Sequence, residues 1–292
     1  MKYPIIEIAL SDKDYPKILS KIYDPPKILY CRGNISILNT NCLAVVGTRK
    51  ITSYGQEAIQ KIVSGLSDSG FTIVSGLALG IDAVAHKTAL DYDLPTIAVL
   101  GSTVDDNGIG PRTNLSLAKE ILENDGLLIS EYRSSTDIFK ANFAIRDRII
   151  SGLSKGVVVI EGADKSGSLI TAKSAADQGR DVFAVPGSIF SATSFGPNQL
   201  IQNGAKPVTS AQDIIEEYGK NMRMDLPVKK EISTKDPIQQ KILAILDEQG
   251  ESTPDEIIRK SGLAAPQVMA AISMLEIKNK IKQRSGKYNL CN

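Results

Sequence analysis

Along residues 42–187, short continuous runs of apolar side chains alternate with segments whose apolar positions recur every three or four residues. The runs are CLAVVG (42–47), FTIVSG (71–76), TIAVLG (96–101), GLLISE (126–131), GVVVIEG (156–162) and VFAVPG (182–187). A strand with one wet face alternates apolar and polar positions, whereas a strand covered on both faces does not. The runs therefore predict a parallel sheet between two layers of helices. Most of them end in glycine. That is where an open α/β sheet places its ligand crevice and where a tight turn lets a ligand approach the backbone. In the first intervening segment Ala58, Ile59, Ile62, Val63 and Leu66 mark one helical face, and Ser53 with Gln56 reads as a capping box at its start.

The pattern changes on either side of this block. Residues 1–41 form a short, proline-punctuated lead-in that can add a strand to the sheet but is too short for a core of its own. Residues 42–219 make up the Rossmann-like domain. Residues 220–236 are polar, hold Pro227 with Pro237 directly after them, and lack periodicity, as a linker does. Residues 237–292 give three helical patterns and then IKQRSGKYNL, a hairpin with Ser285-Gly286 at its turn. Three helices and a β-ribbon in so short a span predict a winged helix. The expected fold is α/β, an extended Rossmann-like, doubly wound and mainly parallel sheet, followed by a small C-terminal winged-helix domain.

Composition narrows the partners. Lys plus Arg number 34 and Asp plus Glu 33, for a net charge of +1, so any binding of nucleic acid or phosphate must come from local clustering rather than bulk charge. Cys31, Cys42 and Cys291 are an odd set without a CxxC pair, which argues against a disulfide framework and a zinc site and for a reducing compartment. The N-terminus is broken by Pro4, Glu7 and Asp12 before a signal sequence develops, and no apolar run is long enough to span a bilayer. The expectation is a cytoplasmic protein without membrane contact, metal or cofactor.

Local chemistry concentrates at the strand ends. Gly47, Thr48 and Arg49 follow the first run and precede a helix, a place where backbone N–H groups, a hydroxyl and a guanidinium suit an anion. The segment has neither GxGxxG nor GxxxxGK[ST], which turns the reading away from dinucleotides and P-loop nucleotides; the plain alternative is a βα turn with a solvated arginine. Ser166, Gly167 and Ser168 open the helix after the fifth run and suit a second phosphate, or simply an N-cap.

Between the fourth and fifth runs, Lys140, Asn142, Phe143, Arg146 and Arg148 interleave cations with an aromatic ring, with Arg146 and Arg148 at the opening of a helix. Single-stranded nucleic acid asks for this mixture, since charge follows its backbone while a ring stacks on a base. The alternative is a core phenylalanine beside a solvated charged face. His86, the one histidine, lies four residues after Asp82 on one helical face and reads as structural, with no third ligand type near it. Lys280, Lys282 and Arg284, with Lys278 and Lys287, form an acid-free basic stretch suited to a DNA-contacting wing, although the apolar helix before it suits a protein partner equally well.

These segments are also motifs. AVVGTRKITSYG, IVSGLALGIDAVAHKTAL, NFAIRDRIISGLS and SGSLITAKSAADQGRDVFAVPGSI with the following LIQNGAK, in that order, resemble the DNA-processing protein A (DprA, or Smf) family over most of the chain. The family commonly carries Asn where Asp147 stands. The resemblance implies a non-catalytic homodimer that binds single-stranded DNA and loads the RecA recombinase, in natural transformation or related recombination. It implies phosphate contacts from Gly47, Thr48, Arg49 and Lys140, a base stacked on Phe143, and a site completed by Ser166, Gly167 and Ser168. The competing expectation is a Rossmann-like nucleotide phosphate-binding hydrolase, whose PGGxGT motif is replaced here by PGS at 186–188. A winged-helix regulator with an α/β sensor domain is a third.

Overall fold

A computed structural model describes residues 3–67, 69–134, 137, 139–219, 236–277, 280–284 and 286–290. Each apolar run supplies a strand: β3 (Asn41–Val46), β4 (Phe71–Ser75), β5 (Thr96–Leu100), β6 (Leu127–Ser130), β7 (Gly156–Val159) and β8 (Asp181–Ala184). All six run parallel. The lead-in adds β1 (Ile5–Ala9) and β2 (Ile28–Gly33), which pair antiparallel with each other and, through β2, with β6. A two-residue strand, β9 (Lys206–Pro207), closes the far edge, giving the order β1-β2-β6-β5-β4-β3-β7-β8-β9.

The helices joining the strands are α1 (Ser53–Ser64), α2 (Ile81–Asp91), α3 (Leu115–Glu123), α4 (Lys140–Leu153) and α5 (Gly167–Asp177). Helices α6 (Phe195–Gln202) and α7 (Ala211–Tyr218) follow β8 and β9. Alternate residues of β3 serve opposite faces of the sheet. Cys42, Ala44 and Val46 share a core with Ile149, Ile150 and Leu153 of α4 and Ala172 and Ala175 of α5, while Leu43 and Val45 pack with α1 and α2. That is why the runs are continuous: either face of a polar residue here would be buried without a partner.

The start of α1 differs from its expected form. Thr52, not Ser53, is the N-cap, its hydroxyl accepting from the Gly55 N–H at 3.2 Å. Helix α4 begins at Lys140 rather than at Arg146, which puts Lys140 on its first turn and Phe143 within it.

The chain divides into two compact units, residues 1–225 and 226–292. The expected linker lies outside the described residues except for Asp236. The second unit consists of α8 (Pro237–Gln249), α9 (Pro254–Ser261) and α10 (Ala265–Ile277), followed by the antiparallel pair β10 (Ile281–Arg284) and β11 (Lys287–Leu290). Ile242, Leu246, Ile257, Val268, Ile272, Leu275 and Tyr288 form its core. Its helices begin on strong signals: Asp236 caps α8 ahead of Pro237, and Thr253 with Glu256 makes a capping box ahead of α9. Of the expected basic stretch, Lys278, the turn residue Ser285 and the side chains of Lys282 and Arg284 lie outside the described residues, as does Cys291; Lys280 is half-buried. Among the described residues, no helix is long and apolar enough to cross a membrane.

Candidate nucleic-acid interface

The strand order reverses direction at β3. From there the chain moves outward to β4, β5 and β6 on one side and to β7, β8 and β9 on the other. Open α/β sheets bind ligands at such a point, beyond the carboxyl ends of the two diverging strands. The turns that meet there are residues 47–52 after β3 and 160–167 after β7, two of the segments singled out by their composition.

They are held together through the backbone. Thr48 N–H donates to the Glu161 carbonyl at 2.8 Å, and Ile81 N–H donates to the Thr48 carbonyl at 3.1 Å, so the first turn is clasped from both sides. Gly47 is required there, because a Cβ would stand 2.8 Å from the Glu161 carbonyl oxygen and 2.5 Å from Ile81 Cγ1. Thr48 Oγ1 accepts from the Lys50 N–H at 3.2 Å, which fixes the tip of the turn and leaves Arg49 exposed.

Glu161 was not among the expected site residues, yet it organises this place. It is buried, and its carboxylate accepts from Thr52 N–H at 3.0 Å, Thr52 Oγ1 at 2.6 Å and Thr193 Oγ1 at 2.8 Å. A carboxylate thus already occupies the N-terminus of α1, where its negative charge is favoured. The anion site expected at that helix start is filled from within, and a ligand can meet only the outer side of the turn. The sequence signal was an acidic residue closing an otherwise apolar strand run.

The second turn is more open. Ser166 is the N-cap of α5 but makes no capping bond; its hydroxyl lies 2.8 Å from Ser168 Oγ instead. Nothing approaches the position a Gly167 Cβ would take, so the backbone at the first residue of α5 is accessible from outside. Free N–H groups in a first helical turn beside the half-exposed Ser166 hydroxyl suit a phosphate oxygen, whereas Ser168 is buried with its hydroxyl against that of Ser166.

Helix α4 carries the third segment, and the structure separates its members. Lys140 is exposed and Phe143 half-exposed at its start, the latter with its backbone against the end of β5: a Cβ on Gly101 would stand 2.9 Å from Phe143 Cα. Asn142 is buried. Arg146 is 4% exposed and donates to the carbonyls of Gly76 at 2.6 Å and Val99 at 2.5 Å, with Asp147 Oδ1 at 3.2 Å from its Nε. Arg148 pairs with Glu131 at 2.7 Å and Asp24 at 3.1 Å. The expectation that four cations face a ligand is therefore corrected: Arg49 and Lys140 are presented to solvent, while Arg146 and Arg148 are held by internal partners.

Arg146 sits in a buried polar group beneath the site. Asp82 accepts from the N–H groups of Gly76 at 3.1 Å and Ala78 at 3.4 Å; burial raises its pKa, and the Arg146 charge and these bonds oppose the rise. Asp147 hydrogen-bonds Thr171 of α5, and its pKa is pushed up to about 6, chiefly by burial and in part by Asp82, against the pull of Arg146 and Arg49. His86 Nδ1 lies 2.7 Å from Thr96 Oγ1, and burial with the nearby Arg146 charge lowers its pKa to about 3. The group ties α2, α4 and α5 together below the two turns. Among the described residues no cluster of three or more His, Cys, Asp or Glu side chains could hold a metal ion.

Comparison with known proteins identifies the family. Residues 7–219 match the family model described as DNA recombination-mediator protein A, and residues 228–287 match the DprA winged helix domain. The DNA processing protein DprA of Bacillus subtilis is 44% identical over 211 residues, covering 72% of this chain and 70% of its own. Protein Smf of Escherichia coli is 40% identical over 289 residues, covering 96% and 76%.

Among solved structures, DNA processing protein A from Streptococcus pneumoniae superposes with a TM-score of 0.69 at 43% identity, covering 74% of this chain and 75% of that one. DNA processing protein A from Helicobacter pylori, described for its single-stranded DNA binding mode, gives 0.66 at 31% identity, covering 76% and 97%. With both of its units matched in order and 40–44% identity to these relatives over the aligned residues, the chain belongs to the DNA recombination-mediator protein A (DprA/Smf) family.

Proposed function

We propose that this chain binds single-stranded DNA along the carboxyl edge of its large sheet and serves as a recombination mediator, not as a catalyst. The observation that carries the reading is the meeting of two turns at the switch point between β3 and β7, with the exposed Arg49 on one and the open Gly167 backbone on the other. Gly47, Thr48, Arg49 and Lys140 would hold successive phosphates with Ser166, Gly167 and Ser168, and Phe143 would stack on a base. The Helicobacter pylori relative, a single-stranded DNA binder by its description, supports the same reading.

In this role the protein is a cytoplasmic homodimer that delivers RecA to the strand it holds, during transformation or other recombination. Fluorescence anisotropy with oligothymidine tests the binding step: Arg49→Ala, Lys140→Ala and Phe143→Ala should each weaken it, and three variants that bind like the parent would overturn the site. RecA nucleation on strands coated with single-stranded-DNA-binding protein, with and without the chain, tests the delivery step.

A further inference from the structure

The loop from β8 to α6 carries two apolar side chains that the fold does not use. Ile189 is 83% exposed and Phe190 94%. The loop is nonetheless well braced. Phe190 N–H donates to Ser188 Oγ at 3.2 Å, Ser191 N–H to the Ser188 carbonyl at 3.0 Å, and Ser191 Oγ lies 3.0 Å from Thr193 Oγ1. Asn198 clamps its root, exchanging bonds of 3.2 and 3.0 Å with the backbone of Gly187. An ordered frame thus holds a phenyl ring out in water.

That frame is also joined to the phosphate-facing turn. Gly162 N–H donates to the Thr193 carbonyl at 2.7 Å, Gly196 N–H to the Gly162 carbonyl at 2.8 Å, and Thr193 Oγ1 to the buried Glu161 carboxylate at 2.8 Å. Tyr54, at the start of α1, bonds the Pro186 carbonyl at 2.6 Å. On the other side of the switch point, Phe139 is 67% exposed and Phe143 half-exposed at the start of α4. Aromatic rings therefore stand on both sides of the two anion-facing turns, all at the carboxyl end of one sheet.

A single strand of nucleic acid has this alternation of charge and π-face, and stacking does not depend on base identity. We infer that Phe190, supported by Ile189, is a second stacking platform for a base of the bound strand. The strand would run from Phe143 across residues 47–49 and 166–168 to Phe190. The inference rests on the proposed single-stranded DNA binding and adds its direction and extent.

The test is a series of oligothymidines of increasing length, some with 2-aminopurine at successive positions, titrated with the full chain and with Phe190→Ala, Phe190→Tyr, Phe143→Ala and Arg49→Ala. Phe190→Ala should bind the longer oligomers roughly tenfold or more weakly while leaving the shortest ones unaffected, and Phe190→Tyr should bind as the parent does. Quenching of 2-aminopurine should disappear in Phe190→Ala at one end of the oligomer and in Phe143→Ala at the other.

Should Phe190→Ala match the parent at every length while Arg49→Ala fails to bind, the second platform is wrong and the proposed function stands. Parent-like binding by all the variants would remove both. Light scattering distinguishes the other occupant: a shift of Phe190→Ala towards monomer, with affinity per chain for the short and long oligomers changed alike, would assign the ring to a second copy of the chain and overturn the inference.

Discussion

The N–H of Thr48 and the carbonyl of Glu161 meet at 2.8 Å, across 113 residues of sequence, and join the turns after β3 and β7 into one surface. Only a residue without a Cβ at position 47 lets them come so close. Gly47→Ala should push the turns apart, destabilising the α/β unit by about 1–3 kcal/mol, as overpacking usually does, and weakening oligothymidine binding at the same time. Urea unfolding beside anisotropy checks it; a stable variant with parental affinity would show that the clasp is dispensable.

Arg49 and Lys140 are exposed, so their removal should act on binding alone. Each neutralised phosphate contact that is lost should flatten the log–log dependence of affinity on salt by about 0.7 for a single strand. The melting temperatures of Arg49→Ala and Lys140→Ala should stay with the parent. Titrations at several salt concentrations measure the slope, and an unchanged slope in either variant removes that residue from the phosphate contacts.

Arg146 should behave in the opposite way. Its guanidinium bridges the carbonyls of Gly76 and Val99 and lies against Asp147, so Arg146→Leu takes the donor from two buried carbonyls and the nearest positive charge from a buried carboxylate. Breaking such a buried arrangement costs about 3–5 kcal/mol. Chemical denaturation should show that loss, and DNA binding should fall only as far as the folded fraction does. A stable Arg146→Leu with impaired binding would put the guanidinium back among the ligand contacts.

This division of the cations was not legible in the sequence, and the reason is physical. A run such as KANFAIRDR shows which charges are neighbours along a helix, but whether a guanidinium is free depends on what the rest of the fold brings to it. Arg148 finds Asp24 from 124 residues away, and Arg146 finds the Gly76 carbonyl from 70. Glu161 reaches Thr52 over 109 residues and moves the cap of α1 one residue from where the local Ser53 and Gln56 pattern places it.

The strands and the two turns could be read because their signals are local: burial on both faces removes polar positions from a strand, and a helix start after a glycine turn offers N–H groups whatever surrounds it. The lead-in lay between these cases. Its strand-forming stretch was visible, but the antiparallel pairing of Tyr30 to Ser130 that seats it beside β6 was not.

The buried group beneath the site should make stability depend on pH through two opposing terms. His86 has its pKa lowered from 6.5 to about 3, so the folded protein keeps it neutral while the unfolded chain takes up a proton below 6.5. Its contribution is complete above that pH and is lost towards pH 3, at up to about 1.4 kcal/mol per unit. Asp147 has its pKa raised from 3.8 to about 6, so here the folded protein holds the proton more tightly, and stability falls as the pH rises between those values. Asp82, also raised, adds to the Asp147 term.

Substitution separates the two. Relative to the parent, Asp147→Asn should become more stable as the pH rises from about 4 to 6 and then level off, whereas His86→Gln should become relatively more stable as the pH falls below about 6.5. Differences in unfolding free energy taken across this range measure both slopes. Two flat differences would mean that neither side chain is held by burial in the protonation state that its surroundings dictate.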